Sequence, residues 1–151
     1  MNSPLDLPPA FMQRTSATKT VLRAGAVQAL RSELDLLGAR RLLLVSSASV
    51  QRSDLHAQLL AQLDGLSVLH SPAIPAHSSV ELVENLAVQA QAHGAQAIVA
   101  VGGGSCSDTA KAVAILMAEG GRLVDHASRF TPPKQLHVPQ LLKPKVPIVT
   151  I

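Results

Sequence analysis

Three consecutive glycines, Gly102, Gly103 and Gly104, are followed by Ser105 and stand between an apolar run and a helix-forming stretch. Without side chains, such a turn can take positive φ and bring its backbone close to another molecule. Residues 98–101 read Ile-Val-Ala-Val, a short apolar run suited to a strand covered on both faces. From about Ser107 onward the helix formers return, with Ala110, Lys111, Ala112, Ala114, Leu116 and Met117. The first N–H groups of a helix have no partner within it, and its dipole favours negative charge there. A phosphate group would satisfy both. The chemistry expected of this stretch is therefore anion binding, although three glycines also suit a tight turn that packs a helix closely on a sheet. Strand before and helix after shift the balance toward a phosphate seat.

Other residues suggest less. The spacing Gly102-x-Gly104-x-x-Ser107 nearly matches the dinucleotide fingerprint, and Asp125 falls about twenty residues on, where that fingerprint places a ribose-binding acid. Asp125 does not follow a recognisable strand, so the role carries little weight. His56, His70, His77, His93, His126 and His137 contain no i, i+4 pair and no Cys/His cluster. They read as surface or capping residues, with His77 the one to watch. Cys106 lies in the anion-binding turn, which could lower its thiol pKa, but an incidental small residue is the plainer reading. No Ser-His-Asp arrangement follows from spacing.

The elements that must position the glycine turn follow from periodicity. At 151 residues, 47% apolar and 15% charged, the chain suits one globular domain. Residues 1–10 read as a flexible arm, and 11–15 and 20–23 as short edge strands around a polar turn. Residues 26–37 predict a helix, with Val27, Leu30, Leu34 and Leu37 on one face and Gly38 closing it. Strands at 42–45 and 66–69 flank a polar turn at 46–49 and a helix at 54–63. Ser78 and Glu81 have capping-box spacing for a helix that runs to His93 and closes at Gly94. Residues 120–146 read as a long proline-rich, basic loop, and 148–151 as a last buried strand.

Strands alternating with helices predict an α/β fold, a three-layer Rossmann-like parallel sheet with helices on both faces. Ligands in such sheets bind beyond the carboxyl ends of the strands, where the order reverses. The turns at 46–49, 71–78 and 102–105 should then share one crevice. No apolar run approaches the ~20 residues of a membrane span, and no secretory signal is visible. A single cysteine fits a cytoplasmic location. Scattered charge, two Phe, no Trp and no Tyr argue against nucleic-acid binding. The excess of 13 Lys+Arg over 10 Asp+Glu suits an anionic small molecule.

The block Gly102-Gly103-Gly104-Ser105-x-x-Asp108-Thr109-Ala110-Lys111-Ala112, behind Ala-Ile-Val-Ala-Val, resembles the signature of the iron-containing alcohol dehydrogenase family. That group is similar to glycerol dehydrogenase, maleylacetate reductase and dehydroquinate synthase. The resemblance covers about residues 11–151, including the strand ending at Val45 and the proline turn before Ser78. It implies a nucleotide-binding α/β domain over residues 1–151, taking NAD or NADP. It also implies a C-terminal helical domain, absent from this chain, where an Asp and three His hold Fe2+ or Zn2+.

By the resemblance, Gly102, Gly103, Gly104 and Ser105 face the pyrophosphate, Asp108 looks toward the nicotinamide and substrate, and Lys111 helps hold an anion. Asp108 equally suits a helix-start carboxylate, and Lys111 a surface role. Ser47 lies in the turn after the first central strand, where NAD-preferring members carry an acid. Here that turn reads Ser46-Ser47-Ala48-Ser49 with Arg52 nearby, which leans toward NADP. The implied activity is hydride transfer between a nicotinamide and an alcohol or carbonyl compound, with a homodimer also compatible. The chain by itself is expected to be inactive. The alternative is a non-redox phosphate-ligand module on a similar fold.

Overall fold

The computed structural model describes residues 17–151. Four parallel strands form the central sheet: β1 (Arg41–Ser46), β2 (Ser67–His70), β3 (Ala97–Val101) and, last in the chain, β6 (Ile148–Thr150). Their order across the sheet is β2-β1-β3-β6. The chain therefore steps outward from β1 to β2 and then crosses back past β1 to β3. The strand order reverses between β1 and β3, whose last residues, Ser46 and Val101, pair side by side.

Alternation along the strands splits the core in two. Leu43, Val45, Ile98 and Ala100 pack against α4 (Val80–His93) and α5 (Gly104–Glu119). Leu42, Leu44, Ala97, Val99 and Val101 pack on the opposite face. They meet α1 (Leu30–Leu36), the 3-10 turn Ala26–Ala29 before it, and α3 (Asp54–Gln62). Each large aliphatic side chain fully buried in these layers contributes about 1.5–3 kcal/mol of transfer free energy. This is the three-layer α/β sandwich that the alternation of strands and helices predicts.

Several local expectations are corrected. Residues 20–23 form no strand: they have no sheet neighbour, and Leu22 is 95% exposed. The arm at 1–10 and the strand expected at 11–15 lie outside the described residues. The helix expected over 26–37 begins as a 3-10 turn, because Gly25 enters it at φ 69° and its carbonyl accepts from Gln28. The turn expected at 46–49 is the start of a short helix, α2 (Ala48–Gln51), capped by Ser47. The cap of α4 is Ser79, whose hydroxyl accepts from the Leu82 N–H at 3.1 Å. Ser78 is drawn elsewhere, as described below. α5 begins at Gly104, three residues before Ser107, because Gly103 already has the extended conformation of a cap.

The segment 120–146 is more ordered than its prolines suggest. A 3-10 turn at Leu123–His126 is followed by an antiparallel hairpin of β4 (Arg129–Thr131) and β5 (Gln135–His137). Phe130 pairs directly with Leu136, so local cross-strand contacts replace burial against the core. The chain returns to the sheet through Lys143 and Lys145. The Lys145 ammonium lies 2.5 Å from the Glu119 carboxylate at the end of α5, and the Lys143 N–H donates to the same oxygen at 2.9 Å.

The Lys145 side chain, and then the Lys143 backbone N–H, hold the Glu119 carboxyl below its ordinary pKa. Its contribution to stability is therefore present above the usual carboxylate range and lost as pH falls through the lowered value. Thermal denaturation of Glu119→Gln should show a lower melting temperature than the wild type at pH 7. The two curves should converge in acid; a gap that widens as pH falls would contradict the assignment.

Candidate nucleotide-binding site

The glycine turn stands at the carboxyl end of β3, beside the end of β1. Gly102 is held on both sides: its N–H donates to the Ile151 carbonyl at 3.0 Å, and the Ser47 N–H donates to the Val101 carbonyl at 3.4 Å. Its φ is 135°, a conformation that side chains resist. A Cβ there would lie 3.0 Å from Cys106 Sγ and 3.2 Å from Ser47 Oγ. Gly102 is thus glycine for the sake of the fold.

Gly103 and Gly104 differ. A Cβ at either position would meet no heavy atom within 4 Å, and both residues are exposed. Gly103 has φ −76°, which any residue adopts. Nothing within the described residues demands their bareness, so the open space in front of them is the feature to explain. Gly103 is the N-cap of α5 and no side chain caps the helix. The Cys106 and Ser107 N–H groups turn back to the Gly103 carbonyl at 3.0 and 3.4 Å. The donors ahead of them lie at the positive end of a 16-residue helix.

All three turns at the carboxyl edge meet here. The Ile74 N–H donates to the Ser46 carbonyl at 2.9 Å, and Ser47 bridges Ile74 in parallel register. The Ser105 hydroxyl donates to the Ala76 carbonyl, which leaves its backbone N–H as its free contribution to an anion. Beside the turn lies a groove of about 280 Å3, lined by His77, Ser78, Ser105, Asp108 and Thr109 among others. The sequence places His77 in this crevice, and the groove includes it.

Asp108 is exposed and pairs with Lys111 at 3.1 Å. The pair leaves Lys111 engaged along the helix rather than aimed at the glycines. Ser47 is likewise occupied: its hydroxyl accepts from the Val50 N–H at 3.4 Å and lies 2.9 Å from the Ser49 hydroxyl. Arg52 ends α2, is exposed, and forms no ion pair among the described residues.

Two possibilities that carried little weight in the sequence do not hold. Cys106 is buried, and desolvation raises its thiol pKa rather than lowering it. Asp125 is engaged locally: its carboxylate accepts from the Arg122 N–H at 3.2 Å and closes the 3-10 turn after α5. That backbone bond, reinforced by the Arg122 side chain, holds its carboxyl below the ordinary range.

Sequence reasoning missed the contact between Ser78 and Thr109, whose hydroxyls lie 2.5 Å apart. Thr109 is 2% exposed, a polar residue on the inward face of α5. Its position four residues after Ser105 was the available signal. Among the described residues, no group of three His, Cys, Asp or Glu could hold a metal ion. No helix among them is long and apolar enough to cross a membrane.

Comparison with known proteins agrees with this fold. The family model described as iron-containing alcohol dehydrogenase matches residues 17–151. The chain is 36% identical over 104 residues to 4-hydroxybutyrate dehydrogenase of Cupriavidus necator, covering 69% of this chain and 27% of that protein. It is 32% identical over 135 residues to NAD-dependent methanol dehydrogenase of Bacillus methanolicus, covering 87% of this chain and 33% of that protein. Among solved structures, NADH-dependent butanol dehydrogenase A of Thermotoga maritima shares the fold, with a TM-score of 0.77 at 24% identity over 93% of this chain and 34% of that one. The chain thus spans about a third of the length of such relatives or less. From the matching fold, the bare glycine turn and the match of the family model, the chain belongs to the iron-containing alcohol dehydrogenase family.

Proposed function

We propose that residues 1–151 form the nucleotide-binding part of an NAD(P)-dependent, metal-containing alcohol dehydrogenase or reductase. The observation that carries this reading is the uncapped start of α5 behind two glycines with open space before them, at the point where the strand order reverses. A pyrophosphate there would accept from the main-chain N–H groups around Gly103, Gly104 and Ser105. Gly102 supports the turn from beneath. Asp108 lines the 280 Å3 groove beside the turn, and in this reading the groove takes the nicotinamide and an alcohol or carbonyl substrate.

The nicotinamide, when bound, supplies hydride chemistry. This chain's residues bind and orient the cofactor. The family resemblance implies that the Fe2+ or Zn2+ ligands, an Asp and three His, stand in a C-terminal helical domain. Residues 1–151 alone would then bind cofactor without turnover. The names of the relatives, a hydroxy-acid dehydrogenase and a methanol dehydrogenase, support an alcohol as the substrate class. They weigh against the non-redox phosphate module. A cytoplasmic location and a homodimer stand with this reading.

The cofactor reading leans toward NADP. The end of β1 carries serines and no carboxylate, so a 2′-phosphate meets no like charge. Arg52, exposed and free of ion pairs among the described residues, is the nearby cation in sequence to pair with one.

Calorimetric titration of the 151-residue chain with NADPH and NADH tests both points. Gly103→Ala should fold with a wild-type melting temperature yet lose roughly tenfold or more in affinity for both nucleotides, since it fills only the open seat. Gly102→Ala should instead lower the melting temperature. Wild-type binding by Gly103→Ala would remove the seat. Arg52→Ala should weaken NADPH by about tenfold and leave NADH unchanged. Equal effects on the two nucleotides would remove the NADP preference.

A further inference from the structure

Two hydroxyl contacts tie the connection between β2 and α4 to the first turns of α5. The Ser105 hydroxyl donates to the Ala76 carbonyl, and the hydroxyls of Ser78 and Thr109 lie 2.5 Å apart. Ser105 and Thr109 are four residues apart, so they share one face of the helix. Their partners are two residues apart in the loop. Two such points fix the loop against both sliding and rotation.

The Thr109 contact is the informative one. Thr109 is 2% exposed and lies among Cys106, Ala110 and Val113 on the buried face of α5. A hydroxyl in such a place is costly unless it is paired. A valine would fill nearly the same volume with no polar atom to satisfy. Packing alone therefore gives no reason for the hydroxyl, whereas the contact with Ser78 does. Between the two tie points stands His77, exposed and lining the 280 Å3 groove together with Ser105 and Asp108.

We infer that Thr109 is a positioning residue: through Ser78 it latches residues 76–78 onto α5, so that the groove wall is preformed beside the phosphate seat. A preformed wall lowers the ordering cost of binding. The latch itself rests only on the geometry; its effect on cofactor rests on the dinucleotide reading above. Thr109 touches no cofactor in this scheme. It acts through the loop.

The test uses the 151-residue chain with two readouts, backbone 15N relaxation without ligand and titration with NADH. Thr109→Val should lower the backbone order parameters at residues 76–78 and weaken NADH binding roughly fivefold. Thr109→Ser should keep both at wild-type values. Ser78→Ala should reproduce Thr109→Val, and the double variant should be no worse than either single one, as expected of two partners in one contact. Should Thr109→Val fail to fold, Ser78→Ala, altered at the loop, carries both readouts.

Unchanged order parameters at 76–78 in Thr109→Val and Ser78→Ala would overturn the latch. So would losses that add in the double variant, or a Thr109→Ser variant as impaired as the valine. If the wild type binds no NADH while the order-parameter pattern holds, the latch stands and the dinucleotide reading falls.

Discussion

A long helix that begins without a cap concentrates partial positive charge at one place, and here that place is α5. Gly103 occupies the cap position and has no side chain to offer. Most helices answer their first N–H groups with a Ser, Thr, Asp or Asn side chain. α4 does so with Ser79 and α2 with Ser47, whereas the shorter α1 and α3, like α5, have no side-chain cap. The omission at α5 leaves donors that an external anion can satisfy. Everything around the turn keeps that opening clear. Gly102 is pressed between Cys106 and Ser47, where a side chain would collide, and the Ile151 carbonyl holds its N–H.

The sheet supplies the remaining geometry. Because β2 and β3 lie on opposite sides of β1, the connections that leave β1 and β3 diverge and a cleft opens between them. Hydroxyl groups stand beside Asp108 and His77 along its floor and wall: Ser47, Ser78, Ser105 and Thr109 each bond to a neighbour. They stiffen the edge of the site without adding a charge that would compete with a bound phosphate. The Lys145 ammonium sits elsewhere, engaged together with the Lys143 backbone N–H by Glu119 at the opposite end of α5. At the start of α5 the helix end itself supplies the partial positive charge.

Much of this was legible in the residues. Apolar runs of four or five marked β1 and β3, and Gly38 and Gly94 marked helix ends, because glycine alone takes those φ values without strain. The glycine block marked the turn at the carboxyl edge of the sheet, and its likeness to a known family pointed to a dinucleotide as its ligand. What was not legible depended on neighbours distant in sequence. Residues 20–23 had strand-like composition but nothing to pair with. Ser78 matched a capping box, yet Thr109, 31 positions away, took its hydroxyl and left the cap to Ser79. Asp125 stood at the spacing of a ribose acid, but Arg122 claimed its carboxylate locally. The thiol of Cys106 responds to burial, which spacing does not reveal. The division of labour among the glycines was equally hidden: identical letters at 102, 103 and 104 serve packing at the first and openness at the other two.

The central claim is that main-chain N–H groups at the start of α5 hold the linking phosphates of a dinucleotide. Amide chemical shifts of 15N-labelled chain, followed during titration with ADP-ribose, test it most directly. The account predicts that the largest saturable shifts fall on Gly103, Gly104 and Ser105, with smaller ones along residues 76–78. Shifts confined to the basic hairpin segment around Arg129, Lys134 and Lys143, with the glycine amides unmoved, would contradict it.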